Sequence, residues 1–208
     1  MARKEITQEA GTAASAKKMR TRDLIYAGAF GAIYLVVMLI IVMGASMVSP
    51  ILYLAAPLFV GTVCGTIYEM CVLKVRKFGP ALILGVLFAL VSCASAGLIA
   101  LVLAIAFALA AELIIMVGKY QSKKMYLLSF VAFNCNMACP YLMLQLARDE
   151  FIGRSVEFYG QAYADTLAAV APSWVFLLCL GMAILGGIIG AFIANKLISK
   201  HFEKAGII

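Results

Sequence analysis

The twenty residues from Leu24 to Met43, LIYAGAFGAIYLVVMLIIVM, carry no charge, and they follow a basic leader that ends in Lys17, Lys18, Arg20 and Arg22. A helix rises about 1.5 Å per residue, so this run is long enough to cross a hydrocarbon layer of about 30 Å. Comparable apolar runs recur down the chain, separated by short basic clusters. With 65% hydrophobic residues in 208 and a mean hydropathy of +1.04, the chain lies outside the range of soluble globules. The composition specifies an all-α polytopic membrane protein. The apolar core of the first run exceeds the roughly 7 to 15 residues of a secretory signal, so it is read as a retained helix.

Six spans are expected, at about 24–44, 51–73, 80–93, 97–117, 125–147 and 172–199. They form one membrane domain over 21–208, after a flexible basic leader at 1–20. The third and fourth spans share one apolar run of nearly forty residues, too long for a single crossing. The division is placed at Ser92 to Gly97, SCASAG, which is small and polar enough to turn the chain. Pro80 suits the start of the third span, because a first-turn amide has no intrahelical partner. Charge supports this count. Fifteen of the seventeen Lys and Arg fall in the leader, in the turns at 74–77 and 119–124, and at the C-terminal end; Arg148 and Arg154 fall on the other face. Basic loops stay inside, so both termini are expected in the cytoplasm. A five-span or seven-span chain would break the pattern.

The fifth span is the most polar. Asn134, Tyr141 and Gln145 share one face with Ala138, while Asn136 lies roughly opposite. Polar groups at this depth need a protein, water or ligand partner. The stripe is therefore either one wall of an outward-facing pocket or a set of interhelical hydrogen bonds. Pro140 removes an amide and is expected to kink the span and free the carbonyl of Asn136. Tyr53, Ser92, Ser95 and Trp174 are further pocket candidates in the outer half, with Trp174 equally readable as an interfacial anchor. Amides and aromatic rings without a central charge suit a small, neutral or zwitterionic, partly aromatic compound.

The one long polar connection, 148–169, mixes Phe151, Phe158, Tyr159 and Tyr163 with six charged residues. That pattern fits a short amphipathic helix on the membrane or a lid in which Phe158, Tyr159 and Tyr163 cover the pocket. Small residues mark two seams. In the first span Ala27 with Gly31 and Gly28 with Ala32 make overlapping pairs, suited to packing inside the bundle or to docking a partner. In the last span Ala183, Gly187 and Ala191, with Gly186, Gly190 and Ala194 beside them, are expected to pack within the bundle, against the first span. Glu69 and Glu112 lie within a turn or two of Lys74, Arg76 and Lys119, which points to snorkelling and ion pairing rather than proton coupling.

Several function classes are disfavoured. The net charge of +7 is distributed among loops rather than over an exposed domain, so no nucleic-acid partner is expected. The six cysteines sit in apolar segments as small hydrophobes, although Cys135 and Cys139 share a face that offers a soft metal two thiols. His201 is the sole histidine. No metal site and no cofactor are expected on this chain. There is no G-x-x-x-x-G-K-[ST] phosphate loop, no H-E-x-x-H, and no paired intramembrane carboxylates, so the chain is not expected to be an enzyme.

Four stretches, TRDLIYAGAFGAIY, GKYQSKK, QAYADTLAAVAPSW and KHFEKAGI, together resemble the MptD (Trep_Strep) family of energy-coupling-factor (ECF) transporter S components, over 22–208. The resemblance implies a six-helix S-component bundle in the bacterial plasma membrane. It implies the substrate-binding subunit of an ATP-driven micronutrient importer, which captures a small vitamin-like compound from outside. The implied partners are a transmembrane T protein and two ABC-type ATPases, which would supply the ATP hydrolysis. Where that family type carries A-x-x-x-A for docking, this chain has Ala27, Gly28, Gly31 and Ala32. A stand-alone secondary transporter is the alternative, a class in which mid-membrane charges and broken helices are common.

Overall fold

The computed structural model describes residues 19–198 and 200. Nearly all of the expected leader at 1–20 lies outside the described residues, as do His201 and the rest of the tail. The elements are α1 (Thr21–Val48), α2 (Pro50–Val75), α3 (Pro80–Val117), α4 (Lys123–Asn134), a 3-10 segment (Cys135–Ala138), α5 (Cys139–Leu146), α6 (Arg148–Tyr159), α7 (Gln161–Val170) and α8 (Val175–Leu197). Among the described residues there is no strand. Five stretches are long and apolar enough to cross a membrane: Thr21–Val48, Pro50–Val75, Ala96–Val117, Lys123–Leu146 and Val175–Leu197. Pro80–Ala94 is a shorter apolar helix. The chain is an all-α, multi-pass membrane protein.

The helical trace of α3 breaks at Gly97, the last residue of SCASAG, where φ is 76° and ψ is −173°. A side chain disfavours that conformation, so glycine is what lets the run fold back instead of continuing as one overlong helix. The two limbs then press together. A Cβ placed on Gly85 would stand 2.1 Å from the Cβ of Ala108. The second limb buries Ala96, Ala100, Ala104, Ala108 and Ala111, a ladder of small residues at nearly every fourth position.

The closest helix contact joins α2 and α8. A Cβ on Gly190 would lie 2.0 Å from the Gly61 carbonyl oxygen, one on Gly186 would lie 2.5 Å from that of Leu58, and one on Gly65 would lie 2.8 Å from that of Gly190. The seam of the last span therefore meets α2, with Gly187 turned to Val131 of α4, and not the first helix as expected. The reason is shape: α2 carries Gly61 and Gly65 at matching height, whereas the buried stripe of α1 continues into the bulky Tyr34 and Met38.

The two small pairs of α1 part company. Ala27 and Gly31 are buried, and a Cβ on Gly31 would stand 2.7 Å from Leu87 Cδ1. Gly28 has nothing within 4 Å of its Cβ position, and Ala32 is exposed. At the foot of α1, Asp23 accepts from the Arg20 amide at 2.8 Å and pairs with Lys77, which ties α1 to the turn before α3.

The two buried glutamates do not snorkel. Oε2 of Glu112 accepts from the Ala81 amide at 3.0 Å, so a side chain of the second limb of α3 caps the open amides at the start of the first. Glu69 is 1% exposed, and neither of its oxygens has a hydrogen-bond partner. Nearby, the Tyr68 ring packs on Phe133 and Phe130 at centroid distances of 4.7 and 5.2 Å, and its hydroxyl meets Ser129 Oγ at 3.1 Å.

These contacts rank the glycines. Gly190→Ala is expected to lower stability by about 1 to 3 kcal/mol, because backbone rather than a flexible side chain must give way. Gly28→Ala is expected to leave stability unchanged or slightly raised. Thermal unfolding of both variants in detergent tests this, and equal midpoints would refute the α2–α8 contact. Gly97→Ala has open space for its Cβ, so its expected loss of about 1 kcal/mol or more is purely conformational.

Candidate functional site

Pro57 lies inside α2 and has no amide to give the carbonyl of Tyr53, one turn earlier. Tyr141 of α5 supplies the missing donor, its hydroxyl lying 2.5 Å from that carbonyl oxygen. The two tyrosine rings pack at a centroid distance of 5.0 Å. This pins α5 against α2 and holds Tyr53 at one end of the bundle. Pro140 is accommodated differently. The backbone tightens into the 3-10 segment, so the Cys139 amide reaches the Asn136 carbonyl, and the free acceptor expected there is absent.

Above Tyr53, at the end of the bundle away from the basic turns, α6 and α7 form a two-helix cap. They join at Gly160, where φ is 85°. The Arg148 guanidinium donates to the carbonyls of Ala168 at 2.6 Å and Ala171 at 2.9 Å, closing the C-terminal end of α7. At the other edge the Tyr159 hydroxyl donates to Ser46 Oγ at 3.3 Å, and its ring stacks on Tyr163 at 4.6 Å. The cap is thus tied to α1 on one side and to its own exit on the other.

Between cap and bundle is a cavity of about 420 Å³. Met43 of α1, Tyr53 of α2, Val91 and Ala94 of α3 and Pro140 of α5 line it from the bundle side. Phe151, Arg154, Ser155, Phe158 and Tyr159 of α6, with Tyr163 and Leu167 of α7, line it from the cap. Arg154 is the one charged member of this set, and its Nη2 meets Glu150 Oε1 at 2.6 Å. The Tyr163 hydroxyl oxygen is buried without a hydrogen-bond partner. Burial, with Tyr159 beside it, pushes the Tyr163 phenol up to about 12, so it stays a neutral donor at physiological pH. A cavity of this size and lining suits a small organic molecule.

A family model described as a hypothetical bacterial integral membrane protein (Trep_Strep) matches residues 21–204. The chain belongs to the Trep_Strep family. It is accordingly a bacterial integral membrane protein. Searches of curated proteins and of solved structures return no match.

In this Trep_Strep protein the sequence candidates divide. Tyr53, Phe158, Tyr159 and Tyr163 line the cavity, and Tyr141 lies one layer behind. Asn134 lies deeper, where its Nδ2 donates to the carbonyls of Ala183 at 2.6 Å and Pro57 at 3.3 Å and so joins α8 to α2. Asn136 is buried with neither side-chain atom bonded. Gln145 is exposed, and its Oε1 accepts from the Phe176 amide at 3.2 Å in the first turn of α8. Trp174 is 53% exposed at the start of α8, outside the lining. Ser92 is buried outside the lining, and the side chain of Ser95 lies outside the described residues. The polar stripe of the fifth span is mostly consumed by backbone groups of α2 and α8, and the cavity sits beyond it.

Arg154 and Ser155 line the cavity beside the expected aromatic residues, and the sequence carries a signal for them. Phe151, Arg154, Ser155, Phe158 and Tyr159 follow i, i+3, i+4, i+7, i+8, which is one helix face. All six cysteines are free, and Cys135 Sγ lies 3.4 Å from the Val131 carbonyl within its own helix. Among the described residues no group of three metal-ligating side chains is found.

Tyr141→Phe leaves the Tyr53 carbonyl without its donor in an apolar interior. The expected loss is about 1 to 3 kcal/mol, read as a lower unfolding midpoint in detergent. An unchanged midpoint would remove this hydrogen bond from the account of how the cavity floor is held.

Proposed function

We propose that this chain is the substrate-binding subunit of an ECF-type, ATP-driven micronutrient importer. The observation that carries the reading is the aromatic cavity roofed by α6 and α7 at the end of the bundle opposite the basic turns. With those turns in the cytoplasm, as their charge favours, the cavity receives a small vitamin-like compound from outside. Family membership supports an integral membrane role, and resemblance to S components supports the finer one. The chain itself performs no catalysis in this reading. A T protein and two ABC-type ATPases supply docking and ATP hydrolysis.

The docking face is the outward pair Gly28 and Ala32, where open space lies over Gly28. Ala27 and Gly31 are engaged inside the bundle and are not available to a partner. A second reading, a stand-alone secondary transporter, draws support from the helix interruptions at Gly97 and Cys135–Ala138 and from the buried Glu69.

Co-purification separates the two. The tagged chain, expressed with the T protein and ATPases, is expected to form a stable complex that Gly28→Leu or Ala32→Leu abolishes while the free subunit stays folded and monodisperse. Proton-driven uptake by the chain alone in proteoliposomes, with no complex formed, would replace this reading with the secondary transporter.

A further inference from the structure

We infer that the ligand of the α6–α7 cavity is a flat heteroaromatic compound bearing a single negative group such as a carboxylate, with Arg154 as the residue that selects it. The inference rests on the proposed small-molecule capture and names the class captured. Five of the twelve lining residues are aromatic, and the stacked Tyr159–Tyr163 pair and the pinned Tyr53 are among them. Rings offer flat faces, so a planar ligand makes the most contact with them. A volume of about 420 Å³ suits one or two rings with a short substituent.

Charge narrows the class. The lining contains one cation and no carboxylate, and the Glu150 that Arg154 holds stands outside it, so a single negative group can be met while a strongly anionic ligand lacks a second counter-charge. The other arginine of the cap, Arg148, is bound to the carbonyls of Ala168 and Ala171. A guanidinium presents two parallel donors that match a carboxylate. Arg154 already holds Glu150, but that pair is of i, i+4 spacing with side chains 47% and 57% exposed, a type that contributes little and exchanges readily. Glu150 thus keeps the guanidinium in place until the ligand's own carboxylate takes it. The buried, unpartnered hydroxyl of Tyr163 offers a donor to a ring heteroatom, which a plain hydrocarbon ring leaves unused. The bundle alone suggested a neutral or zwitterionic compound; α6 brings a charge that the spans do not contain.

A lipid phosphate shares the negative charge, so the test separates the two sources. Full-length protein in lipid-depleted detergent is titrated by calorimetry with nicotinate, quinoline-2-carboxylate and indole-3-acetate, and with the carboxamide of each. At least one acid is expected to bind about tenfold or more tightly than its amide. Arg154→Gln is expected to erase that preference. Glu150→Gln, which removes the carboxylate paired with Arg154, is expected to strengthen the acid and leave the amide unchanged. Amides that bind as well as acids, a preference that survives Arg154→Gln, or no binding by any probe would overturn the inference. So would loss of the acid preference when phosphatidylglycerol is added, which would assign Arg154 to a lipid headgroup. The same preparations are tested for complex formation with the T protein and ATPases. A complex without acid preference removes the ligand class alone, and acid preference without a complex removes the subunit role alone.

Discussion

The backbone contact between α2 and α8 is the constraint from which the rest follows. Inside lipid there is no hydrophobic gain from bringing two apolar helices together, so close approach and the dispersion it allows must hold them. Gly61 and Gly65 on one side, with Gly186 and Gly190 on the other, remove the side chains that would keep the carbonyls apart. At that separation one amide can span both helices, and Asn134 Nδ2 reaches Pro57 and Ala183 together. With α2 placed, Tyr141 meets the carbonyl that Pro57 leaves open, and Tyr53 is set as the floor of the cavity.

Polar side chains within the spans mainly repair the backbone. Tyr141 and Glu112 each occupy a main-chain group that a proline, a helix start or a bend has left without a partner. Gln145 does the same for the first turn of α8. Such groups are poor ligand contacts, since recruiting them would reopen the defect they close. The proposed recognition falls instead to the cap. There the Arg154–Glu150 pair is about half exposed, a setting in which ion pairs contribute little, while the rings of Phe151, Tyr159 and Tyr163 form an apolar surface. Asn136 and Glu69 stand apart from this pattern, because both are buried with side-chain atoms that find no hydrogen bond.

Some of this could be read directly along the chain. Runs without charge, the turn at SCASAG and the amphipathic face from Phe151 to Tyr159 are local properties, visible in length, composition and spacing. The ladder Ala96, Ala100, Ala104, Ala108 is equally visible, although nothing in it names its partner. What the sequence by itself determined was therefore the class of protein, its helical spans and the places where those helices must break. Only the tertiary structure decided which face each helix turns inward. Gly28 and Gly31 look alike on paper, but one faces open space and the other the leucines of α3. Asn134 looks like a pocket wall until two backbones converge on it. The physical reason is that a helix face acquires meaning from the shape opposite it, and in a bilayer, where every face is apolar, periodicity alone cannot tell lipid from protein.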